Sequence, residues 1–296
     1  MFVSSQIIYL QMQKTGSTHA AEVLQKYVPG RVQRKHEKLK DHHRYTSRII
    51  ASSVRNPWEW YVSLWAYGCS GAGGLRNYLN RLPGSELRGA LRSSDLGSAL
   101  LFVPRTLAGR PNWKRLYSDP TSESNFREWL KLILGSEGLR LSLEGYASSR
   151  IKKYVGFMTY RFLALTTAYL EWTRTGRECR SYDEVVAFAQ DHTVVTEVLR
   201  FESLDQDLVR LLKAAGADVS GDDVARWGKQ NTSSHRKYAE YYDEETSSLV
   251  RARDRFIIDR FGYQTVWQAA KMSALLVVWT ANWLIANVVL DQSAGV

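Results

Sequence analysis

The sequence predicts an α/β fold built as a three-layer sandwich, with a central parallel sheet between two layers of helices. Three observations predict it. Short apolar runs of strand length alternate along the chain with segments of helical periodicity, and such alternation is typical of a parallel sheet covered by helices on both faces. The 296 residues are enough for one large domain. Their content of 44% hydrophobic and 24% charged residues is that of an ordinary globular protein, which excludes global disorder.

The first strand–helix unit begins at Gln6–Leu10 (QIIYL), an apolar run of the length expected for a buried strand. A polar turn that contains a glycine follows at Gln11–Ser17, and Thr18–Tyr27 then predicts a helix with one apolar face. Pro29 and Gly30 end this helix, because neither residue favours its continuation. The chain therefore opens as strand, loop and helix.

The second unit follows a basic stretch that contains three histidines. Ile49–Val54 (IIASSV) predicts a buried strand. The turn Arg55-Asn56-Pro57 comes next, and a proline suits the first turn of a helix. The predicted helix Trp58–Tyr67 is dense in aromatic side chains, most of which we expect in the core. Cys69–Gly74 (CSGAGG) predicts a flexible turn after it.

The rest of the chain has fewer clear elements. Residues 76–156 are rich in Ser, Gly and Arg and predict irregular structure with one helix at Asn125–Leu134. Val194–Phe201 predicts a later strand, and Leu204–Ala215 predicts the helix after it. A further helix is predicted over Asp243–Phe261, with an aspartate as its N-cap.

The loop between the first strand and its helix has the residue types of an anion site. It reads Lys14-Thr15-Gly16-Ser17-Thr18 (KTGST). Such a loop exposes backbone N–H groups at a helix N-terminus, where the helix dipole also favours an anion. Gly16 allows a close approach of the backbone, and Lys14 adds a positive charge. The loop is not a Walker A motif, because its lysine precedes the glycine and no glycine lies upstream.

A second anion-binding pattern stands at the end of the next strand. An arginine at a strand end, as at Arg55, can donate two hydrogen bonds to one phosphate. Ser63 follows eight residues later, a little over two helical turns on, and can lie on a similar face of the helix. The pattern therefore predicts a second phosphate contact near the first.

These two motifs resemble the pair of signatures found in sulfotransferases that use 3′-phosphoadenosine-5′-phosphosulfate (PAPS). KTGST is similar to the family's 5′-phosphosulfate loop, and VRNPWEWYVSLW is similar to its 3′-phosphate motif. Leu199–Gly216 resembles the family's late strand and following helix. Ser233–Tyr263 resembles the closing segment of the carbohydrate-type branch. The resemblance implies a P-loop NTPase-like sulfotransferase fold for residues 1–265, followed by a hydrophobic tail at 266–296.

The resemblance also implies a role for each matched residue. Lys14 is expected to bridge the 5′-phosphate and the leaving oxygen. Arg55 and Ser63 are expected to hold the 3′-phosphate, and the loop that ends at Arg236 is expected to close over the nucleotide, with Arg236 as its charge contact. The full set of implied nucleotide-binding residues is Lys14, Thr15, Gly16, Ser17, Thr18, Arg55, Ser63, Ser234 and Arg236.

An acceptor hydroxyl also needs a general base, and histidine has the pKa range for that task. His36 lies between the two phosphate motifs, where related sulfotransferases carry a His or Glu base. We predict His36 as the catalytic base, next to Lys14 as the other catalytic residue. Glu37, His42 and His43 compete for the role.

The predicted reaction is the transfer of a sulfuryl group from PAPS to a hydroxyl, and the C-terminal resemblance favours a carbohydrate or glycolipid acceptor. The reaction needs no metal, and we expect none: the two cysteines, Cys69 and Cys179, form no CxxC pair.

Two other classes of protein stay open. A P-loop-like nucleotide kinase or hydrolase needs a Mg²⁺ ligand and a Walker-type lysine, and neither has a convincing candidate. A basic nucleic-acid-binding protein would fit the net charge of +10, which favours anionic partners in general. The basic residues are spread along the chain without a recognised binding module, so we expect no specific nucleic-acid partner.

The C-terminal tail contains an uncharged run, Ser273–Leu290 (SALLVVWTANWLIANVVL). Its length is close to that of a membrane-spanning helix, but it also suits a hydrophobic helix docked on the domain or on another copy of it. The start of the chain lacks the pattern of a signal peptide. We therefore expect a cytoplasmic protein or, if the tail is an anchor, a membrane-associated one whose catalytic domain faces the cytoplasm.

Overall fold

The computed structural model describes residues 1–80, 111–135, 145–225 and 235–265. Its sheet has five strands in the order β3-β1-β2-β4-β5. The strands are β1 (Phe2–Ser4), β2 (Ile7–Leu10), β3 (Gly30–Val32), β4 (Ile49–Val54) and β5 (Glu197–Arg200). The three strands predicted from the sequence are thus present, and β4 has the predicted bounds.

The sheet is mixed rather than wholly parallel as predicted. β2 and β5 both pair with β4 in the parallel sense. β1 instead pairs antiparallel with β2 and with β3, which adds two short strands at one edge. These two strands have three residues each. A run so short carries no readable periodicity, and its pairing depends on the strand beside it.

The helices fall between and after these strands. They are α1 (Ser17–Tyr27), α2 (Pro57–Cys69), α3 (Gly74–Leu79), α4 (Trp113–Leu116), α5 (Glu123–Leu134), α6 (Phe157–Thr166), α7 (Tyr169–Arg174), α8 (Tyr182–His192), α9 (Leu204–Ala214), α10 (Gly221–Ala225), α11 (Glu244–Arg253) and α12 (Arg255–Phe261). Single 3₁₀ turns lie at His42–Tyr45, Ile151–Lys153, Gly176–Glu178, Phe201–Ser203 and Tyr238–Tyr241. The middle of the chain is therefore more helical than predicted.

Helices cover both faces of the sheet. Successive side chains of a strand point to opposite faces, so Ile7 and Tyr9 enter one hydrophobic cluster with α1 and α9. Ile8 and Leu10 enter the other cluster, which is larger and includes α2, α5, α6, α11 and α12. The aromatic residues of α2 that were expected in the core are buried there, with the exception of Tyr67.

The two largest differences from the predicted helix bounds are at α2 and in the helix predicted over Asp243–Phe261. α2 continues through Cys69, which was expected to begin a flexible turn. The helix predicted over Asp243–Phe261 is broken at Asp254, although Asp243 does cap it and forms a capping box with Thr246. Asp254 leaves the helical conformation because its carboxylate is fully buried and accepts hydrogen bonds from Tyr61 and Thr159.

The predicted tail segment Ser273–Leu290 lies outside the described residues. Within the part of the chain that the structure describes, no helix combines the length and apolar character needed to cross a membrane.

Candidate functional site

Three segments that are distant in sequence meet where the parallel strands β2, β4 and β5 end. The loop after β2 contains Lys14 and Gly16, the turn after β4 contains Arg55, and β5 is followed by Phe201. The carboxyl edge of such strands is where open α/β sheets bind their ligands. The guanidinium carbon of Arg55 lies 3.9 Å from the centre of the Phe201 ring, so the second and third segments are in contact.

The backbone of the loop has two residues in the left-handed region. Lys14 has a φ of 61° and Gly16 a φ of 71°. Gly16 is the N-cap of α1 and has no side chain to cap the helix. A Cβ atom at this position would lie 2.5 Å from Leu204 Cδ2. Position 16 therefore requires glycine for two reasons: the left-handed backbone and the close approach of α9.

The hydroxyl of Thr15 points into the protein. Thr15 Oγ1 donates to the carbonyl oxygen of Met12 at 2.9 Å and lies 2.6 Å from Ser53 Oγ. Tyr9 continues this chain, with 2.7 Å between its hydroxyl and Ser53 Oγ. Each hydroxyl has one proton, so Ser53 donates to Thr15 and Tyr9 donates to Ser53. Thr15 is fully buried and its hydroxyl is engaged within the protein, so the structure does not place this hydroxyl against a ligand.

Helix α2 and the turn before it hold the loop at two carbonyl groups. Trp60 Nε1 donates to the carbonyl oxygen of Gln13 at 2.6 Å. Arg55 Nη1 donates to that of Lys14 at 3.2 Å. The two predicted phosphate-binding motifs are thus in direct contact, and Trp60 is a positioning residue that sequence reasoning assigned only to the core.

Arg55 is buried and its other contacts include an acidic partner. Its Nη2 lies 2.5 Å from Glu59 Oε1, one helical turn further on. Its Nε has no hydrogen-bond partner among the described residues. A second carboxylate, Glu202, accepts a hydrogen bond from the backbone N–H of Asn56 at 2.7 Å. A phosphate that binds Arg55 would therefore meet two carboxylates close by.

The Lys14 side chain lies over an aromatic ring. Its Nζ is 4.2 Å from the centre of the Tyr67 ring, and Tyr67 is 42% exposed. Burial, and to a lesser extent the charge of Arg55, lowers the pKa of Lys14 to about 8. An anion bound beside Lys14 would restore the charged form, because an opposite charge raises the pKa of a lysine.

The N-terminus of α1 supplies donors at the same place. The first N–H groups of a helix have no partner within the helix, and in α1 these belong to Ser17 and the residues after it. Ser17 is buried, and its carbonyl accepts from the Gln11 amide at 3.0 Å. Lys35 Nζ donates to Thr18 Oγ1 at 3.3 Å, which brings a further cation to this end of the helix.

His36 lies beside the loop and also has a left-handed backbone, with a φ of 60°. Its Nδ1 is 2.7 Å from the carbonyl oxygen of Gln11. A carbonyl only accepts, so Nδ1 is the protonated nitrogen, and a neutral ring then carries its lone pair on Nε2.

A pocket of about 110 Å³ opens next to His36. Its lining residues come from the loop, from the basic stretch and from α6. They are Gln11, Met12, Gln13, His36, Lys38, Tyr160, Arg161, Ala164 and Leu165. The rings of the competing bases His42 and His43 lie against each other at an angle of 41°, with 3.8 Å between their centres. Glu37 interacts electrostatically with the amino group of Met1.

The remaining predicted residues lie in different surroundings. Ser63 is 1% exposed, one helical turn beyond Glu59, so a phosphate reaches it only if neighbouring side chains move. Arg236 donates to the carbonyl of Thr121 at 2.6 Å and to Glu123 at 3.1 Å, which ties it to the start of α5. Ser234 lies outside the described residues.

Sequence reasoning missed several residues of the site: Lys35, Glu59, Tyr67, Phe201 and Glu202. Two of these residues could have been found from the sequence. Glu59 follows Arg55 by four residues, the spacing of an ion pair at a helix start, and Lys35 belongs to the basic stretch. The other three reach the site through tertiary contacts.

A larger pocket of about 310 Å³ lies at the opposite edge of the sheet, where β4 and β5 begin. Its lining residues are Ile49, Thr196, Glu197, Arg210, Leu211 and Ala214. Arg210 Nη2 lies 3.8 Å from Glu197 Oε2, so the two charges of this pocket neutralise each other. We place the functional site at the carboxyl edge, where backbone donors and cations converge.

Within the described residues, no group of three or more His, Cys, Asp or Glu side chains is arranged to hold a metal ion. Comparison with family models, with curated proteins and with solved structures gave no match for this chain.

Proposed function

We propose that this protein is a PAPS-dependent sulfotransferase that transfers a sulfuryl group to a hydroxyl of a carbohydrate or glycolipid. The observation that carries the proposal is the hydrogen bond from Arg55 Nη1 to the carbonyl of Lys14. It joins two motifs that are far apart in sequence and that each suit a phosphate. A nucleotide with a phosphosulfate at one end and a 3′-phosphate at the other needs two such contacts.

The residues at the loop suit the 5′-phosphosulfate end. The N-terminus of α1 directs N–H groups and the positive end of its dipole towards an anion. Lys14 lies in the loop that leads into this helix end, and Lys35 reaches the same end through its bond to Thr18. Arg55 suits the 3′-phosphate, provided that the phosphate replaces Glu59 as its partner.

The chemistry assigned to these residues is an in-line displacement at sulfur. The acceptor oxygen attacks the sulfur of PAPS, and the bond from sulfur to the bridging phosphate oxygen breaks. Lys14 stabilises the negative charge that develops on that leaving oxygen. His36 takes the acceptor proton on Nε2, and 3′-phosphoadenosine-5′-phosphate leaves.

A binding experiment tests the nucleotide assignment. Calorimetric titration with 3′-phosphoadenosine-5′-phosphate and with ATP is expected to show clear preference for the former. Arg55→Ala should weaken binding of the 3′-phosphorylated nucleotide by about 1.5–3 kcal/mol, the range for a charged hydrogen bond. Binding of adenosine-5′-phosphosulfate, which lacks the 3′-phosphate, should weaken less, because there the variant removes only the bond that holds the Lys14 carbonyl.

The transfer itself is tested by incubation of the protein with labelled PAPS and a panel of glycans, glycolipids and phenols. A labelled glycan or glycolipid is the expected result. Preference for ATP over the 3′-phosphorylated nucleotide would instead favour the kinase or hydrolase, and strongly salt-dependent DNA binding would favour the nucleic-acid-binding protein.

A further inference from the structure

Tyr67 is the one aromatic side chain of α2 that is not buried. It is 42% exposed, whereas the other four are fully buried: Trp58, Trp60, Tyr61 and Trp65. A large aromatic ring stabilises a protein mainly through its burial. The position of the Tyr67 ring is therefore not explained by the packing of the core, and its neighbours at the surface are of interest.

The first neighbour of the Tyr67 ring is the amine of Lys14. Its Nζ lies 4.2 Å from the centre of the ring, a distance at which the negative face of an aromatic ring attracts a cation. Within the described ranges of the chain, no carboxylate forms an ion pair with this amine. A ring, unlike a carboxylate, holds an amine without cancelling its charge. The contact therefore leaves the positive charge of Lys14 available to a further group.

The backbone of Lys14 is held as well. It has a φ of 61°, and its carbonyl oxygen accepts a hydrogen bond from Arg55 Nη1 at 3.2 Å. A lysine carries its charge on a flexible four-carbon stem and loses much conformational freedom when it is ordered. Arg55 fixes the start of this stem, and the Tyr67 ring fixes its end.

The second neighbour of the Tyr67 ring is the turn that follows α2. A Cβ atom at Gly73 would lie 3.1 Å from Tyr67 Cδ1 and 3.2 Å from Tyr67 Cε1. Gly73 has a φ of 96°, which also favours glycine. The ring thus contacts both the turn and the Lys14 amine, and these contacts restrict the directions that an exposed side chain can take.

Tyr67 shares a face of α2 with residues of the second phosphate motif. Glu59, Ser63 and Tyr67 follow one another at intervals of four residues, and side chains with this spacing lie on one face of a helix. Glu59 contacts Arg55, and Tyr67 contacts Lys14. One face of α2 therefore holds a cation from each of the two predicted motifs.

We propose that Tyr67 is a positioning residue that holds the charged amine of Lys14 towards the 5′-phosphosulfate of the bound nucleotide. The inference rests on the proposed sulfotransferase function and adds a residue to it. An ammonium group has three N–H donors, so a ring on one side leaves donors for phosphate oxygens. During transfer the electron pair of the broken bond stays on the bridging oxygen beside Lys14, and Tyr67 takes no part in the bonds that form or break.

A double-mutant cycle tests whether Tyr67 acts through Lys14. Affinity for 3′-phosphoadenosine-5′-phosphate is measured by calorimetric titration at neutral pH. Tyr67→Leu should weaken binding by about 3- to 10-fold, the size of a partly shielded cation–π contact, and Tyr67→Phe should stay within about twofold because it keeps the ring. In the Lys14→Ala background, Tyr67→Leu should change the affinity by no more than about twofold.

A second measurement needs no nucleotide. NMR of protein that contains lysine labelled with a heavy carbon isotope at Cε resolves the ε protons, and the Lys14 signal is identified by its loss in Lys14→Arg. Protons over the face of an aromatic ring are shifted upfield. The Lys14 signal should be upfield in the wild type and in Tyr67→Phe, and Tyr67→Leu should abolish the shift.

The control is Tyr27→Leu, which removes a ring that lies 5.0 Å from the Nζ atom of Lys26 at the other end of α1. This variant makes the same substitution beside a different lysine. It should change neither the Lys14 signal nor the affinity for the nucleotide.

An unshifted Lys14 signal in the wild type, or equal weakening by Tyr67→Leu with and without Lys14, would overturn the proposal. Tighter binding in Tyr67→Leu would also overturn it, because the ring would then compete with the nucleotide for Lys14. Failure of the proposed function has a different signature. If the wild type binds no 3′-phosphoadenosine-5′-phosphate, the donor assignment is refuted, and the NMR signals alone decide whether Tyr67 holds Lys14.

Discussion

Lys14 is expected to lose its function as the pH rises, because its pKa is lowered to about 8 by burial and by Arg55. Below that pH the amine is charged and attracts an anion; above it the amine is neutral. Affinity for 3′-phosphoadenosine-5′-phosphate should therefore fall between about pH 7.5 and 9.

Titration of the nucleotide across this range measures the effect, and Lys14→Arg should flatten the profile because an arginine stays charged. Lys14→Ala should lower turnover by about 10²-fold, the scale of losing one transition-state donor. The control is Lys213→Ala, which removes an exposed lysine at the end of α9. It should change neither the pH profile of the affinity nor the turnover. A wild-type profile that is flat to pH 9 would contradict the assignment.

Glu59 is expected to compete with the nucleotide for Arg55. Its Oε1 lies 2.5 Å from Arg55 Nη2. Glu59→Gln should tighten binding of 3′-phosphoadenosine-5′-phosphate by up to about tenfold, since the variant removes a charge that repels the phosphate. Calorimetric titration provides the measurement.

The control is Glu128→Gln, which also removes one charge, from an exposed pair with Arg115. It should leave the affinity within a factor of about two, because exposed ion pairs contribute little. Weaker nucleotide binding in Glu59→Gln would show that Glu59 positions Arg55 for the phosphate instead of competing with it.

At the scale of elements, the junction between the loop and α1 depends on Gly16. Gly16→Ala combines a left-handed backbone, at a φ of 71°, with a Cβ that would lie 2.5 Å from Leu204 Cδ2. We expect a loss of about 1–3 kcal/mol in the free energy of unfolding from the backbone alone, with the clash adding to it. Urea denaturation gives the value.

Gly216→Ala separates the cost of the left-handed backbone from that of the clash, because Gly216 has a φ of 81° and nothing lies within 4 Å of its Cβ position. Equal losses would mean that the Leu204 contact is unimportant.

The break between α11 and α12 is maintained by the carboxylate of Asp254. It accepts hydrogen bonds from the Tyr61 hydroxyl at 2.6 Å and from the N–H and hydroxyl of Thr159 at 2.8 and 2.7 Å. Asp254→Ala leaves three buried donors without a partner, so we expect a loss of about 3 kcal/mol or more in thermal or urea unfolding. Asp259→Ala is the control, because that carboxylate is exposed and paired with Arg251 at 3.4 Å. A loss below about 1 kcal/mol in Asp254→Ala would show that the Asp254 bonds are dispensable.

The elements that could be predicted are those whose signals are local. β2, α1, β4 and α2 follow from apolar runs, a proline at a helix start and a glycine-containing turn. The break at Asp254 could not be predicted, because the helical pattern continues through it and the reason lies in Tyr61 and Thr159, far away in the chain. β1 and β3 were missed for a related reason, since each strand depends on its neighbour for pairing.

At the scale of the whole molecule, the fold brings together three segments of the site that lie far apart in the sequence. The two loops that carry the predicted phosphate motifs could each be located from the sequence, and their common edge follows from parallel strands. The contacts of the segment after β5 could not be predicted. Leu204 lies next to Gly16 and Phe201 lies next to Arg55, because β5 lies next to β4. The carboxylates of Glu59 and Glu202 beside Arg55 and Asn56 could not be inferred from the motifs, because a motif lists only the groups expected to bind.

The last prediction concerns the tail after Thr265. A chain that ends at Thr265 is expected to melt within about 4 °C of the full chain, a shift of no more than about 1–2 kcal/mol for a domain of this size. The reason is that Ile257, Ile258 and Tyr263, near the end of the shortened chain, are buried in the larger hydrophobic cluster, whose described members all precede Thr265. Calorimetry of both chains in the same detergent measures the melting temperatures, and centrifugation of cell extracts measures the location. If Ser273–Leu290 is an anchor, the full chain sediments with membranes and the shortened chain stays in the supernatant with unchanged nucleotide binding. A shortened chain that melts well below the full one would show instead that the tail is a helix docked on the domain.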